Sequence, residues 1–75
     1  MDRKLIDLYK TLYPKGTRIE LIKMGNDEPN PIPNGTRGTV RYVDDMGTIH
    51  CFWDNDRTLG LVPDVDIFTK VWEGR

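Results

Sequence analysis

The chain has one histidine and one cysteine, and the two are adjacent: His50 and Cys51. An imidazole beside a thiol has the residue types of a nucleophilic pair or of two zinc ligands. Adjacent residues of a strand point to opposite faces, however, so these side chains cannot converge on one proton or one metal ion. We therefore expect Cys51 in the core and His50 at the surface, with no metal site and no catalytic residue.

Carboxylates are the second candidate for chemistry, as a Ca²⁺ site or an acid/base pair. The segment Asp54-Asn55-Asp56 resembles the start of a calcium loop, but the Gly and the distal Glu of such a loop are missing. Aspartate is favoured in turns because its side chain accepts hydrogen bonds from nearby backbone N–H groups. We therefore predict that the protein has no cofactor and no enzymatic activity. The aspartates predicted to lie in turns are Asp44, Asp45, Asp54, Asp56, Asp64 and Asp66.

Aromatic and cationic side chains near the predicted surface indicate binding. Such groups grip peptides or stack on nucleic-acid bases. Overall charge favours neither ligand, since 11 Lys+Arg and 12 Asp+Glu give a net charge of −1. We predict a protein partner, with nucleic acid as the alternative, and the predicted binding residues are Arg37, Arg41, Tyr42, His50, Phe52 and Trp72.

Length and composition restrict where such a site can lie. A chain of 75 residues forms one small domain with a thin core, which favours a surface function over an enclosed active site. A single cysteine excludes an internal disulfide and is typical of a reducing compartment, so we expect a cytoplasmic protein. No apolar run approaches the roughly 20 residues that a membrane span needs, and we expect no membrane contact.

Residues 1–14 have the pattern of an amphipathic helix. Leu5, Leu8, Tyr9 and Leu12 recur at helical spacing, and Pro14 ends the run. A helix of about three turns is not stable alone in water, so its apolar side must pack on something. Packing on the same chain predicts a monomer, and packing on a second copy predicts a weak homodimer.

Residues 15–75 have the pattern of a β domain. A proline-rich loop over residues 25–35 follows the first strand. A flat sheet of five short strands would leave one apolar face wet, so we expect a mainly β fold in which the sheet curls into a five-stranded SH3-like barrel. The predicted strands are Thr17 to Met24, Arg37 to Asp44, Gly47 to Trp53, Thr58 to Val62 and Ile67 to Trp72.

The register of the central hairpin decides which side chains are available for binding. If Ile49, Cys51 and Trp53 face the core, His50 and Phe52 point outward, and a slip of one residue reverses this arrangement.

The second strand needs an irregularity. Val40 and Val43 are three residues apart, so both face the core only if a β-bulge lies between them, and a curled sheet favours a bulge. For Trp72, two interpretations remain open: it covers one end of the barrel, or it is exposed for binding.

Several ordered motifs together resemble the domain-of-unknown-function 4314 family, small proteins of Gram-positive bacteria, their phages and conjugative elements. The resemblance implies an SH3-like fold and a mobile-element setting, and it brings no activity or catalytic residue. One departure lies after the Asp54-Asn55 turn, where the family often has a Gly or another small residue and this chain has Asp56-Arg57. The motifs that carry the resemblance are Gly16 to Met24, Pro31 to Val40, Val43 to Gly47, Trp53 to Asn55 and Leu59 to Asp66.

Overall fold

A computed structural model describes residues 2–25 and 29–72 of the chain. It confirms one N-terminal helix and five strands, and each element lies within about two residues of its predicted bounds. The elements are α1 (Arg3–Leu12), β1 (Arg18–Lys23), β2 (Arg37–Val43), β3 (Ile49–Trp53), β4 (Thr58–Leu61) and β5 (Ile67–Lys70).

The five strands form one antiparallel sheet in the order β4-β3-β2-β1-β5. The predicted closed barrel is wrong, because the two outer strands, β4 and β5, are not hydrogen-bonded to each other. The prediction assumed that only closure could keep the apolar face dry. Instead, Ile32 of the proline-rich loop, which is 1% exposed, belongs to the core cluster, and Tyr9 of α1 and Tyr13 pack against that cluster. Closure is therefore not required to bury the core.

The core alternates along the strands as predicted. Ile19 and Leu21 of β1 are both fully buried, and Ile49, Cys51 and Trp53 of β3 are at most 1% exposed. Trp53 is the largest of the fully buried side chains, and its indole Nε1–H donates a hydrogen bond to the carbonyl oxygen of Leu59 at 3.0 Å. The hairpin register is thus the one that leaves His50 and Phe52 outside.

Helix α1 packs on its own sheet, which answers the question of whether it docks in cis. Ile6 is buried, and the Tyr13 ring meets the edge of the Phe68 ring at a centroid distance of 5.5 Å. Three residues of the predicted apolar stripe do not pack on the sheet, so the prediction is wrong for them: Leu5, Leu8 and Leu12 are 37%, 48% and 39% exposed. No helix in residues 2–25 or 29–72 is long and apolar enough to cross a membrane.

Two turns contain a residue with a positive φ angle, Gly47 in the first and Asp56 in the second. Gly47 has a φ of 89°, as expected for the glycine that closes the β2–β3 hairpin. Asp56 has a φ of 69°, a left-handed conformation that Asp adopts more readily than most residues with a side chain. Asp56 therefore takes the conformation that a glycine would adopt at the position where the chain departs from the family pattern.

Candidate functional site

The outward face of β2 and β3 carries three of the predicted binding residues in one group. We refer to Tyr42, His50 and Phe52 as the outer ring cluster. Tyr42 and Phe52 are 52% and 47% exposed, and the Tyr42 and His50 rings stack with centroids 4.5 Å apart and planes 13° from parallel. Because His50 and Phe52 are two residues apart on β3, both lie on the same face of the sheet. Large ring surfaces therefore meet solvent on a rigid part of the fold.

The predicted β-bulge in β2 creates this cluster. Val40 pairs with Cys51 and Tyr42 pairs with His50, so Arg41 is the extra residue on β2. After the bulge, Val43 returns to the core and is 8% exposed, while Tyr42 lies outside. Tyr42 is therefore an exposed residue of β2.

His50 is held by Asp44, a contact that the sequence analysis missed. His50 Nε2 lies 2.8 Å from Asp44 Oδ2, and Asp44 Oδ1 accepts hydrogen bonds from the N–H groups of Met46 and Thr48 at 2.9 and 3.0 Å. The hydrogen bond with His50, supported by these backbone bonds, lowers the pKa of Asp44. Asp44 is thus a turn residue, as predicted, and it also orients the imidazole. The sequence feature that could have indicated this contact is the predicted β2–β3 hairpin, because its turn brings residues 44 and 50 to the same end of the two strands.

The arginines around the cluster carry partners. Arg37 Nε lies 3.1 Å from Glu20 Oε1 across the β1–β2 pair. Arg18 lies against Asp54, with Nη1–Oδ1 and Nη2–Oδ2 distances of 2.8 and 2.7 Å, and it also donates from Nη1 to Thr39 Oγ1. The hydrogen bond from Arg18 lowers the pKa of Asp54. The charges of Arg18 and Arg37 are therefore locally balanced by carboxylates.

Two predicted binding residues do not join the cluster closely. Arg41 lies at the bulge and is exposed. Trp72 is 96% exposed and lines a separate cleft beside the C-terminal end of α1, so it covers no end of the sheet. The predicted set thus divides into the outer ring cluster, the two arginines Arg37 and Arg41 elsewhere on β2, and a distant tryptophan.

The aspartate positions agree with the turn interpretation. Asp66 is the buried exception, at 4% exposure: its Oδ1 accepts a hydrogen bond from the Gly25 N–H at 2.9 Å and its Oδ2 one from the Val62 N–H at 2.8 Å. Within residues 2–25 and 29–72, no group of three His, Cys, Asp or Glu residues is arranged to hold a metal ion.

Cys51 lies on the core face, opposite His50, as predicted. Burial raises the pKa of the Cys51 thiol to about 12. The thiolate is the reactive form of cysteine, and burial also blocks the approach of a reagent.

We expect Cys51 of the folded protein to resist alkylation. At about pH 8 only about one thiol in 10⁴ is ionised, so iodoacetamide should label the native chain at least about a hundredfold more slowly than the same chain in guanidinium chloride. Mass spectrometry of timed samples measures both rates. A native rate within about threefold of the denatured rate would contradict the buried assignment.

Comparison with known proteins gives one match. The sequence model of a family described as a domain of unknown function, DUF4314, matches residues 2–71, which is nearly the whole chain. No curated protein and no solved structure matches it.

Proposed function

The chain belongs to the DUF4314 family, and since that description carries no activity, we propose that the protein is a small non-enzymatic module that binds a protein partner through its outer ring cluster. The observation that carries this proposal is the exposure of Tyr42 and Phe52 on paired strands. Aromatic side chains are enriched at protein interfaces, and tyrosine is among the residues enriched at the positions that contribute most to binding.

The cluster is pre-organised for binding. Tyr42 is stacked on His50, and His50 is bonded to Asp44, so part of the surface is ordered before a partner arrives. Fewer side-chain rotamers are then lost on association, which raises the affinity obtained from a given contact area.

Local charge favours protein over nucleic acid as the ligand. Binding to a phosphate backbone draws its affinity from cations that neutralise phosphates. On this face, Arg18 is paired with Asp54 and Arg37 with Glu20. The paired charges suit the polar rim of a protein interface, and nucleic-acid binding is the alternative that the experiment below tests.

The proposal also includes an SH3-like fold class, a cytoplasmic location and a gene carried by a bacterial mobile element. An open form of an SH3-like barrel is supported by the sheet order, in which β1 pairs with both β2 and the last strand. A cytoplasmic location is supported by the one buried cysteine, which is free. A bacterial mobile-element setting follows from the resemblance that the motifs carry.

The test compares three forms of the chain in quantitative affinity purification from a lysate of the encoding organism. We expect the wild type to retain a partner that the double variant Tyr42→Ala/Phe52→Ala loses. The matched control is Leu8→Ala, because Leu8 is 48% exposed, close to the 47% of Phe52, but lies on α1. With the purified partner, the double variant should raise the dissociation constant at least about tenfold, and the control less than about twofold.

Two results would contradict the proposal. One is equal retention of the partner by the wild type and the double variant. The other is a gel shift of labelled single- or double-stranded oligonucleotides that weakens steeply with salt and depends on Arg41, which would establish nucleic-acid binding instead.

A further inference from the structure

The two ring nitrogens of His50 are in different situations. Nε2 lies 2.8 Å from Asp44 Oδ2, whereas Nδ1 forms no hydrogen bond with any residue in the ranges 2–25 and 29–72. No side-chain nitrogen or oxygen of those ranges is both buried and unpartnered, so Nδ1 is in contact with solvent. The His50 side chain is 35% exposed, in agreement with this position.

The neighbouring strand leaves Nδ1 uncovered. On β4, the residue paired with His50 is Gly60. A Cβ at Gly60 would lie 3.9 Å from His50 Nδ1, in van der Waals contact with it. Because glycine has no side chain, this nitrogen stays accessible on the face that carries the exposed rings of Tyr42 and Phe52.

The carboxylate of Asp44 decides which nitrogen carries the proton in the neutral imidazole. The hydrogen bond with His50 lowers the pKa of Asp44, so near neutral pH this group is an ionised carboxylate, which accepts hydrogen bonds and cannot donate them. The hydrogen between Nε2 and Oδ2 therefore belongs to Nε2. A neutral imidazole has one N–H donor and one acceptor, so Nδ1 is the acceptor.

From this geometry, we propose that His50 Nδ1 accepts a hydrogen bond from an N–H or O–H group of the protein partner, and that Asp44 is the positioning residue that keeps Nδ1 an acceptor. The inference rests on the proposed function and adds the chemistry of the partner. The partner surface presents apolar groups to Tyr42 and Phe52 and one hydrogen-bond donor to His50.

A partner surface without a donor at this point binds less tightly. Association covers Nδ1 and removes its contact with water. A buried acceptor that receives no hydrogen bond lowers the affinity about ten- to a hundredfold. The donor therefore distinguishes the partner from an apolar surface of similar shape.

A second copy of the chain is a poor source of this donor. In a two-fold symmetric contact, the same face of both copies meets. On that face, the His50 Nε2–H is bonded to Asp44, and the Arg18 and Arg37 guanidinium groups lie against carboxylates. These donors are occupied, so a different protein with an accessible N–H or O–H group fits better.

The variant Asp44→Asn reverses the polarity of the imidazole with almost no change of shape. The N–H groups of Met46 and Thr48 lie 2.9 and 3.0 Å from Asp44 Oδ1 and need an oxygen there, so the Asn amide nitrogen takes the Oδ2 position. This amide donates to His50 Nε2, and the imidazole proton then lies on Nδ1. Nδ1 thus becomes a donor that faces the donor of the partner.

Nitrogen-15 NMR of the imidazole measures the tautomer directly, and the chain has only one histidine. Near pH 8, where an ordinary imidazole is neutral, we expect the Nε2–H form in the wild type and the Nδ1–H form in Asp44→Asn. Asp45→Asn is the matched control. It removes the same charge from the next residue of the turn, but Asp45 pairs with Lys10, so the tautomer should not change.

The binding probe is the protein that the wild-type chain retains in the affinity purification. Asp44→Asn should raise its dissociation constant at least about tenfold, and Asp45→Asn less than about twofold. His50→Phe is a second variant, which keeps a ring against Tyr42 but has no ring nitrogen, and it should also raise the dissociation constant at least about tenfold. Circular dichroism checks that each variant is folded.

Three results would overturn the inference. The first is the Nδ1–H form in the wild type. The second is a folded Asp44→Asn or His50→Phe variant whose affinity stays within about twofold of the wild type. The third is a homodimer in light scattering that Asp44→Asn dissociates, which would make a second copy the source of the donor. Failure of the proposed function gives a different result, namely retention of the partner by Tyr42→Ala/Phe52→Ala.

Discussion

Replacing Asp66 with alanine is expected to lower the free energy of unfolding by about 2 to 4 kcal/mol, because two partly buried N–H groups lose a charged acceptor. These groups belong to Gly25, after β1, and Val62, after β4. A chain of this size has a total stability of only about 4 to 11 kcal/mol, so this one substitution is expected to remove a large fraction of it.

The environment of Asp66 leaves little room for compensation. Asp66 is 4% exposed, so water cannot readily replace the carboxylate. Gly25 lies so close to Val65 that an added Cβ would collide with the Val65 carbonyl oxygen. The contact between these two segments is therefore tight, and the backbone cannot easily shift to find new acceptors.

Urea unfolding followed by circular dichroism measures the effect. Asp64→Ala is the matched control, since Asp64 lies two residues away and is exposed, and its change should stay within about 0.5 kcal/mol. Asp66→Asn should be intermediate, because the amide keeps one oxygen acceptor and places a donor towards the other N–H. Equal transition midpoints for Asp66→Ala and Asp64→Ala would show that the carboxylate has no structural role.

Trp53→Ala is expected to be at least as severe, with a loss of about 3 to 5 kcal/mol. The substitution leaves a cavity at the centre of the core, where Trp53 has no exposed surface, and it removes the hydrogen bond from the indole to Leu59. Gly38 shows how closely the ring is packed, since a Cβ at that position would lie 2.8 Å from Trp53 Cε3. Neighbouring backbone therefore cannot collapse fully into the space.

The chain contains its own control for this prediction. Trp72→Ala makes the same substitution at a residue that is 96% exposed, and it should change the free energy of unfolding by less than about 0.5 kcal/mol. Thermal unfolding by circular dichroism compares the two variants, and Trp53→Phe should fall between them. A Trp53→Ala variant as stable as Trp72→Ala would mean that the core is not centred on this ring.

The local features of the fold were predictable because they depend on alternation. The inward positions of Ile19, Leu21 and Cys51 follow from period-two patterning, which a strand with one buried face enforces. The bulge followed from the spacing of Val40 and Val43, since no regular strand can turn both inward.

The features that were missed depend on contacts between distant segments. Ile32 lies in a loop without periodicity, so nothing in its sequence neighbourhood distinguishes a buried isoleucine from an exposed one. Barrel closure was predicted from the strands alone, and the outcome depended on how α1 and this loop cover the sheet. The bond between Asp44 and His50 required the turn geometry as well as the register.

Arg41 is the extra residue in the pairing of β2 with β3, and this position determines which changes of length the strand tolerates. Deleting Arg41 would place Tyr42 directly after Val40, opposite His50 and Cys51, so regular alternation would keep Tyr42 outward and Val43 inward. A deletion elsewhere in β2 would instead exchange the faces of the residues between the deletion and the bulge. A sequence alignment of relatives can therefore open a gap of one residue at Arg41 without mispairing the two surfaces of the sheet, whereas a gap elsewhere in β2 would mispair them.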